Sequence, residues 1–163
     1  MTTELSTDYK LIRSQLRAIT DGEPDHLANS ANFIALLNSA IPTINWVGIY
    51  VLRDDELLLG PFQGNTACVR IPLEKGVCGT AAATRTTQRV DDVHDFPGHI
   101  ACDAASRSEI VVPLSCEGTL IGVLDMDSPI QARFDEEDQV GVESLCRMFE
   151  KIVCSNGAAE SFI

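Results

Sequence analysis

The chain has 163 residues and a formal net charge of −12, from 24 acidic and 12 basic side chains, and 45% of its residues are hydrophobic. These values exclude a disordered or fibrous protein and predict a single domain, residues 1–163, with an ordinary hydrophobic core. A surface so acidic repels phosphate backbones and anionic lipids. The composition therefore argues against binding to nucleic acid or to a membrane surface.

The sequence shows no targeting signal that we can identify. No apolar run is long enough to span a bilayer, and the N-terminus lacks the basic region and apolar stretch of a secretory signal. We therefore expect a cytoplasmic protein. In that reducing compartment, thiols stay free unless the protein's own chemistry oxidises them, so we expect free thiols at Cys68, Cys78, Cys102, Cys116, Cys146 and Cys154.

Two amphipathic helices are predicted at the start of the chain. The first covers residues 8–20, and the second runs from Asp25 to just before Pro42. Helical spacing predicts inward-facing side chains at Ile12, Leu16 and Ile19 in the first helix, and at Leu27, Ala31, Ile34 and Ala35 in the second.

The next segment, Ile44–Leu52, is almost continuously apolar and predicts a central strand that is covered on both faces. Because hairpin connections dominate the rest, we predict an α+β fold: a mainly antiparallel sheet of about six strands with helices on its faces. The other predicted elements are strands at 57–62, 67–71, 88–91, 109–115 and 119–126, an Ala-rich helix at 76–85, a polar loop at 92–108, a final helix capped by Asp135, and a loose tail at 154–163.

Two carboxylates stand at one end of a predicted strand. Asp125 and Asp127 are two residues apart, so in a strand both side chains point to the same face, opposite to Leu124 and Met126. Two acids on a covered face are costly unless something positive binds there. The alternative is that the strand ends before them and both are solvated.

The hairpin register brings in a third carboxylate. A three-residue loop at 116–118, with Gly118 left-handed, places Glu109 opposite Asp125 and beside Asp127. A two-residue turn puts Glu109 on the wrong face. Three carboxylates on one wall can hold an ammonium group, or keep one member protonated as a proton donor.

Three thiols have positions suited to chemistry. Cys78 lies in the first turn of a predicted helix, where the helix end can make a thiol acidic or bind a substrate carboxylate; the alternative is simple packing against neighbouring alanines. Cys68 and Cys102 lie on polar segments, where one thiol can react and the other resolve, or where both are incidental surface residues. Cys116, Cys146 and Cys154 are interpreted as structural.

One loop contains residues that could bind a metal, and one aromatic residue suits the wall of a pocket. His94, His99 and Cys102 share one loop, but their spacing matches no usual zinc pattern, so we predict no metal site. Trp46, the only tryptophan, belongs to the core or forms the wall of a small pocket.

Four segments resemble the free methionine-R-sulfoxide reductase family, a single-domain catalytic form of the GAF fold: WVGIYVL, GPFQGNTACVRIPLEKGVCGTAA, the stretch that ends in DVHDFPGHIACDAASRSEIVVPL, and EGTLIGVLDMDS. The resemblance covers roughly residues 8–153. The intervals of 10 residues from Cys68 to Cys78 and 24 from Cys78 to Cys102 match the three-cysteine pattern of that family.

The resemblance implies reduction of free L-methionine (R)-S-oxide to L-methionine, with no metal or organic cofactor. It implies Cys102 as the nucleophile, Cys68 as the main resolving cysteine and Cys78 as a pocket thiol that resolves second. It also implies recycling by a thioredoxin-like dithiol protein and favours a homodimer. The substrate-binding positions that we expect are Trp46, Gly76, Val77, Glu109, Asp125 and Asp127.

Two other functions stay open on the sequence alone. GAF domains commonly bind small ligands without catalysis, and a pair of reachable thiols also suits a redox sensor that acts through a partner protein. Turnover of a sulfoxide distinguishes the enzyme from both.

Overall fold

A computed structural model describes residues 6–100, 103–159 and 161–163 of the chain. Four α-helices lie in these ranges: α1 (Tyr9–Thr20), α2 (His26–Ala40), α3 (Gly76–Thr84) and α4 (Glu136–Ser155). A short 3-10 helix spans Val93–Asp95. The strands are β1 (Trp46–Arg53), β2 (Glu56–Gln63), β3 (Arg70–Pro72), β4 (Gln88–Val90), β5 (Ser108–Cys116) and β6 (Thr119–Ser128).

The six strands of the described residues form one sheet in the order β3-β2-β1-β6-β5-β4, and every paired strand is antiparallel. The apolar strands β1 and β6 are central, as their burial on both faces requires. The predicted α+β fold with a six-stranded antiparallel sheet is confirmed.

Two apolar clusters cover the two faces of the sheet. Helices α1, α2 and α4 pack on one face over side chains such as Ile49, Leu124 and Met126. On the other face α3 packs over a smaller cluster that contains Trp46 and Tyr50. A single short helix leaves part of that second face to loops, and this is where a cavity forms.

The predicted inner faces of the first two helices are partly wrong. Ile19 is 42% exposed and Leu27 is 54% exposed. In α2 the buried aromatic residue is Phe33, which stacks on Phe149 of α4 with ring centroids 4.6 Å apart. Apolar side chains occur on several sides of α2, so their spacing alone did not fix the side that meets the sheet.

The hairpin between β5 and β6 differs from the predicted three-residue loop. Cys116 pairs with Thr119, so the turn has two residues, Glu117 and Gly118, both with positive φ. An irregularity between Leu114 and Ser115 then shifts the register by one residue, and Glu109 pairs with Asp127 instead of Asp125. With the bulge, Glu109 lies on the same face of the sheet as Asp125 and Asp127. A two-residue turn without the bulge would place it on the opposite face.

The end of the chain is fixed to the domain. Cys154 at the end of α4 forms a disulfide with Cys116 of β5, with the two Cα atoms 5.5 Å apart, so the expectation of free thiols is wrong for this pair. Beyond it, where a loose tail was expected, Phe162 is 2% exposed and meets Phe149 edge to face. The Arg53 guanidinium donates to the carbonyl oxygen of Phe162 at 2.6 Å.

Within the described part of the chain, none of the helices combines the length and apolar character that a bilayer crossing needs.

Candidate active site

A small cavity lies on the face of the sheet that α3 covers only in part. The described residues that line it belong to strands β1, β3, β5 and β6, to the start of α3, and to the segments at 66–67, 99–100 and 103–106. It brings together seven of the residues that the sequence singles out: Trp46, Gly76, Val77, Cys78, Glu109, Asp125 and Asp127.

Three carboxylates form one wall of this cavity. Glu109 and Asp127 are direct cross-strand partners, and Asp125 stands two residues before Asp127 on the same face of β6. Glu109 and Asp125 are each 6% exposed. The Oδ1 atom of Asp125 is buried and accepts no hydrogen bond from the described residues, so a ligand that enters the cavity can pair with it.

Burial and mutual repulsion determine where this wall holds protons. Burial raises the pKa of Asp125 to about 6. Burial raises the pKa values of Glu109 and Asp127 well above the usual range, and the charge of Asp125 raises both further. Burial and mutual repulsion therefore favour protons on Glu109 and Asp127, and Asp125 is the member of the wall that ionises most readily.

The Cys78 thiol sits within this wall. It occupies the first turn of α3, it is 4% exposed, and its Sγ lies 3.9 Å from Glu109 Oε1. Burial raises the pKa of the thiol well above its usual value, and the carboxylates Asp125 and Glu109 raise it further. The alternative that the helix end makes Cys78 acidic is therefore wrong, because burial and three acids outweigh the helix dipole.

Aromatic rings lie beside the acids on the same face of the sheet, because Trp46 of β1 is the cross-strand partner of Asp127. Trp46 stacks on Phe62 at 5.5 Å and on Tyr50 at 6.0 Å between ring centroids. Glycine is required at position 48, because a Cβ there would lie 2.3 Å from the Trp46 ring. The indole N–H donates to the Asn65 carbonyl oxygen at 3.0 Å, which fixes the ring as a flat apolar surface.

The N-terminus of α3 supplies backbone donors at the edge of the cavity. Gly76, with φ of +61°, begins the helix, and Lys75 gives it no side-chain cap. The first N–H groups of a helix have no partner within the helix and favour anions. Gly76 and Val77 both line the cavity, so the same cavity has backbone donors from α3 and carboxylates from β5 and β6.

The two thiols predicted to react are only partly described. Cys68 is half-buried in the segment before β3, next to the cavity-lining Ala67, and its carbonyl oxygen accepts a hydrogen bond from the Tyr50 hydroxyl at 3.0 Å. Cys102, the predicted nucleophile, lies outside the described residues. The structure describes the loop on either side of it, up to Ile100 and from Asp103.

The histidines considered for a metal site are used separately. The His94 ring contacts Asp92 at 2.7 Å, whereas His99 lines the cavity with its Nε2 4.0 Å from Glu109 Oε2. Sequence reasoning missed His99 as a cavity residue. Among the described residues, the donor atoms close enough to share one cation belong to Cys78, Glu109 and Asp125, which lie within 4.8 Å of one another.

Comparisons with known proteins agree with this geometry. The chain matches the GAF domain family over residues 15–153. It is 49% identical over 154 residues to the free methionine-R-sulfoxide reductase of Escherichia coli, covering 94% of this chain and 93% of that protein. The fold and the match define a GAF-domain protein.

Solved structures narrow the class further. A structure described as fRMsr of Staphylococcus aureus in complex with substrate is 50% identical, with a TM-score of 0.87, covering 91% of this chain and 97% of that one. The free methionine-R-sulfoxide reductase of Neisseria meningitidis in complex with its substrate is 45% identical, with a TM-score of 0.88, covering 93% and 91%. This chain belongs to the free methionine-R-sulfoxide reductase family.

Proposed function

We propose that this protein is an oxidoreductase that reduces free L-methionine (R)-S-oxide to L-methionine. The observation that carries the proposal is that a buried carboxylate wall and the uncapped N-terminus of α3 line the same cavity. A free amino acid offers an ammonium to the carboxylate wall and a carboxylate to the N–H groups of α3. A methionine sulfoxide within a polypeptide offers neither, so the cavity selects the free amino acid.

The binding mode follows from charge. The substrate ammonium meets Asp125, whose buried Oδ1 has no other partner among the described residues. The substrate carboxylate lies against the N–H groups of Gly76, Val77 and Cys78 at the start of α3. The methyl end packs on the Trp46 ring. These contacts leave the sulfoxide oxygen toward the protonated acids.

The chemical step transfers oxygen to a thiol. The Cys102 thiolate attacks the sulfoxide sulfur, Glu109 donates its proton to the oxygen, and methionine leaves as Cys102 becomes a sulfenic acid. We assign the proton to Glu109, since its burial and the charge of Asp125 raise its pKa well above the usual range. Burial and the charge of Asp125 also raise the pKa of Asp127 well above its usual range, so Asp127 is the second candidate donor.

Recycling returns the enzyme to its thiol form. The Cys68 thiol attacks the sulfenic acid of Cys102, water leaves, and a disulfide forms. A thioredoxin-like dithiol protein then reduces that disulfide by exchange. The half-buried position of Cys68 beside the cavity supports this role. Cys78 can resolve second, since it lies in the same cavity.

A thiol cycle that depends on a dithiol reductant works in a reducing compartment, which supports a cytoplasmic location. We also infer a homodimer formed through the first two helices. Exposed apolar side chains on these helices support it: Leu11 and Leu27, each 54% exposed, and Ile19.

Epimer-specific turnover tests the function. The reduced protein is incubated with dithiothreitol and with each free epimer of L-methionine sulfoxide, and methionine is measured by chromatography. N-acetylated L-methionine (R)-S-oxide is the matched control, because it lacks the ammonium. We expect loss of the free R epimer only. Ligand binding without turnover supports a binding module, and peroxide-driven disulfide formation without any sulfoxide preference supports a redox sensor; either contradicts the proposal.

A further inference from the structure

The carboxylate of Asp103 joins three segments around the cavity. Its Oδ2 accepts hydrogen bonds from the side-chain amides of Asn45 and Asn65, each at 3.2 Å. Its Oδ1 accepts from the backbone N–H of Ala105 at 2.9 Å. One side chain therefore connects the start of β1, the segment before β3 and the loop that leads to β5.

Two members of this cluster are close in sequence to the two cysteines of the proposed disulfide. Asp103 directly follows Cys102, and Asn65 stands three residues before Cys68. The Asn65–Asp103 hydrogen bond thus links the segments that carry the two sulfurs of the proposed disulfide.

The rigid end of this link is β1. The backbone N–H of Asn45 donates to the Asp127 carbonyl oxygen at 3.0 Å, at the edge of the sheet. Its side-chain amide donates to Asp103 and also to Ser106 Oγ at 3.2 Å. The next residue, Trp46, donates its indole N–H to the Asn65 carbonyl oxygen. Both loops are therefore held against the same two residues of one strand.

The charge of Asp103 favours this role. The backbone N–H of Ala105, followed by the amides of Asn65 and Asn45, holds the pKa of its carboxyl below the usual range. It is therefore an ionised acceptor at neutral pH, and hydrogen bonds to an ionised acceptor are shorter and stronger than those to a neutral one.

We propose that Asp103 is a positioning residue for disulfide formation, because it holds the Cys68 segment against the segment that follows Cys102. The inference rests on the proposed function, in which the Cys68 thiol displaces hydroxide from the Cys102 sulfenic acid. One S–S bond forms, one S–O bond breaks, and the thiol proton leaves with the oxygen as water. Such a step depends on holding two loops within bonding reach, and a misplacement of about 1 Å costs on the order of 100-fold in rate.

The test separates the two chemical steps. Reduced protein is mixed with L-methionine (R)-S-oxide without a reductant, and samples are quenched over time. Methionine is measured by chromatography, sulfenic acid by dimedone labelling, and the Cys68–Cys102 disulfide by peptide mass spectrometry. Because Asp103 also lines the cavity, we compare the two steps within one variant. For Asp103→Ala we expect disulfide formation to slow by about 10-fold or more relative to methionine formation, so that dimedone-labelled protein accumulates.

Two further variants keep the result interpretable. Asn65→Ala removes only the link to the Cys68 segment, on an exposed residue, and has the same expected effect. Asp92→Ala is the matched control. Asp92 is an aspartate at the start of the same loop, but its carboxylate contacts His94 and Arg107 and neither of the two asparagines. In this control both steps should proceed at the wild-type rate.

A parallel arm separates the inference from the proposed function. Hydrogen peroxide replaces the sulfoxide and oxidises the Cys102 thiolate directly to sulfenic acid, so the resolving step is measured even in a protein that makes no methionine. We expect the same slowing in Asp103→Ala and Asn65→Ala. Disulfide formation at the wild-type rate in both variants overturns the inference. A fall in methionine formation equal to the fall in disulfide formation also overturns it, because Asp103 would then act on substrate binding.

Discussion

Glu109 of β5 and Asp127 of β6 are cross-strand partners whose side chains face the cavity beside α3, on the opposite side of the sheet from α1, α2 and α4. Antiparallel partners have Cβ atoms about 5 Å apart, so the two acids repel each other unless at least one holds a proton. Asp125 adds a third carboxylate on the same face. This arrangement supplies a protonated acid and a negative charge within one small cavity.

Glu109→Gln removes the proposed proton donor and keeps the shape of the side chain. We expect kcat to fall by about 100-fold or more, the range typical of a lost general acid, while KM changes little. The measurement is steady-state reduction of L-methionine (R)-S-oxide. The control is Glu117→Gln, an exposed residue in the turn of the same hairpin. Equal kcat values in the two variants contradict the role of Glu109.

Asp125→Asn removes the charge that we assign to ammonium binding. The expected result is a rise in KM of about 10-fold or more with a smaller change in kcat, since a buried charge-assisted hydrogen bond contributes about 1.5–3 kcal/mol. Isothermal titration of the Cys102→Ser variant, with and without Asp125→Asn, measures binding without turnover. An unchanged dissociation constant means that the ammonium binds elsewhere.

The stability of the substrate-free protein should fall as pH rises from 5 to 7.5. Burial raises the pKa of Asp125 to about 6, above that of an unfolded Asp near 3.9, so the folded state binds more protons in this window and loses stability as they leave. Asp125→Asn removes this group. It also removes the negative charge that raises the pKa values of Glu109 and Asp127. We expect wild type to lose about 1–2 kcal/mol more than the variant between these pH values.

Urea unfolding at the two pH values measures this difference. The control is Asp91→Asn, a substitution of an exposed aspartate outside the cavity, which should keep the wild-type slope. A pH dependence that is identical in wild type and Asp125→Asn excludes Asp125 as the cause.

The Cys116–Cys154 disulfide should stabilise the fold without taking part in catalysis. It closes a segment of 38 residues between β5 and the end of α4. The chain-entropy estimate for a loop of that length is about 3–4 kcal/mol. Cys154→Ser should lower the free energy of unfolding by an amount of that order, measured without reductant, and should retain kcat.

The matched control for the disulfide is wild type with dithiothreitol, in which the same bond is absent without any substitution. Its stability should approach that of Cys154→Ser. A loss of kcat in Cys154→Ser under conditions where the protein stays folded assigns a catalytic role to this pair and contradicts the prediction.

Part of the site could be predicted from local sequence, because strand geometry has a period of two. Asp125 and Asp127 share a face of β6, and Leu124 and Met126 lie in the core on the other face. The partner of Glu109 could not be predicted, since it depends on the bulge between Leu114 and Ser115; Pro113 beside it is compatible with a bulge but does not fix its position.

Other features depend on contacts between distant segments. The first turn of α3 alone suggests an acidic Cys78, but its environment comes from β5 and β6, and their carboxylates have the opposite effect. The Cys116–Cys154 pair has no local pattern either. The fold class was predictable because hairpin spacing and apolar strands specify it directly, whereas a cavity is built from segments that meet only in the folded chain.

A crystal structure of the Cys102→Ser variant with L-methionine (R)-S-oxide tests the central claim most directly. The account predicts the ammonium nitrogen within about 3.2 Å of Asp125 Oδ1, and the sulfoxide oxygen within about 3.2 Å of a Glu109 carboxyl oxygen. A ligand whose ammonium points to solvent, or whose sulfoxide oxygen lies away from Glu109, would contradict it.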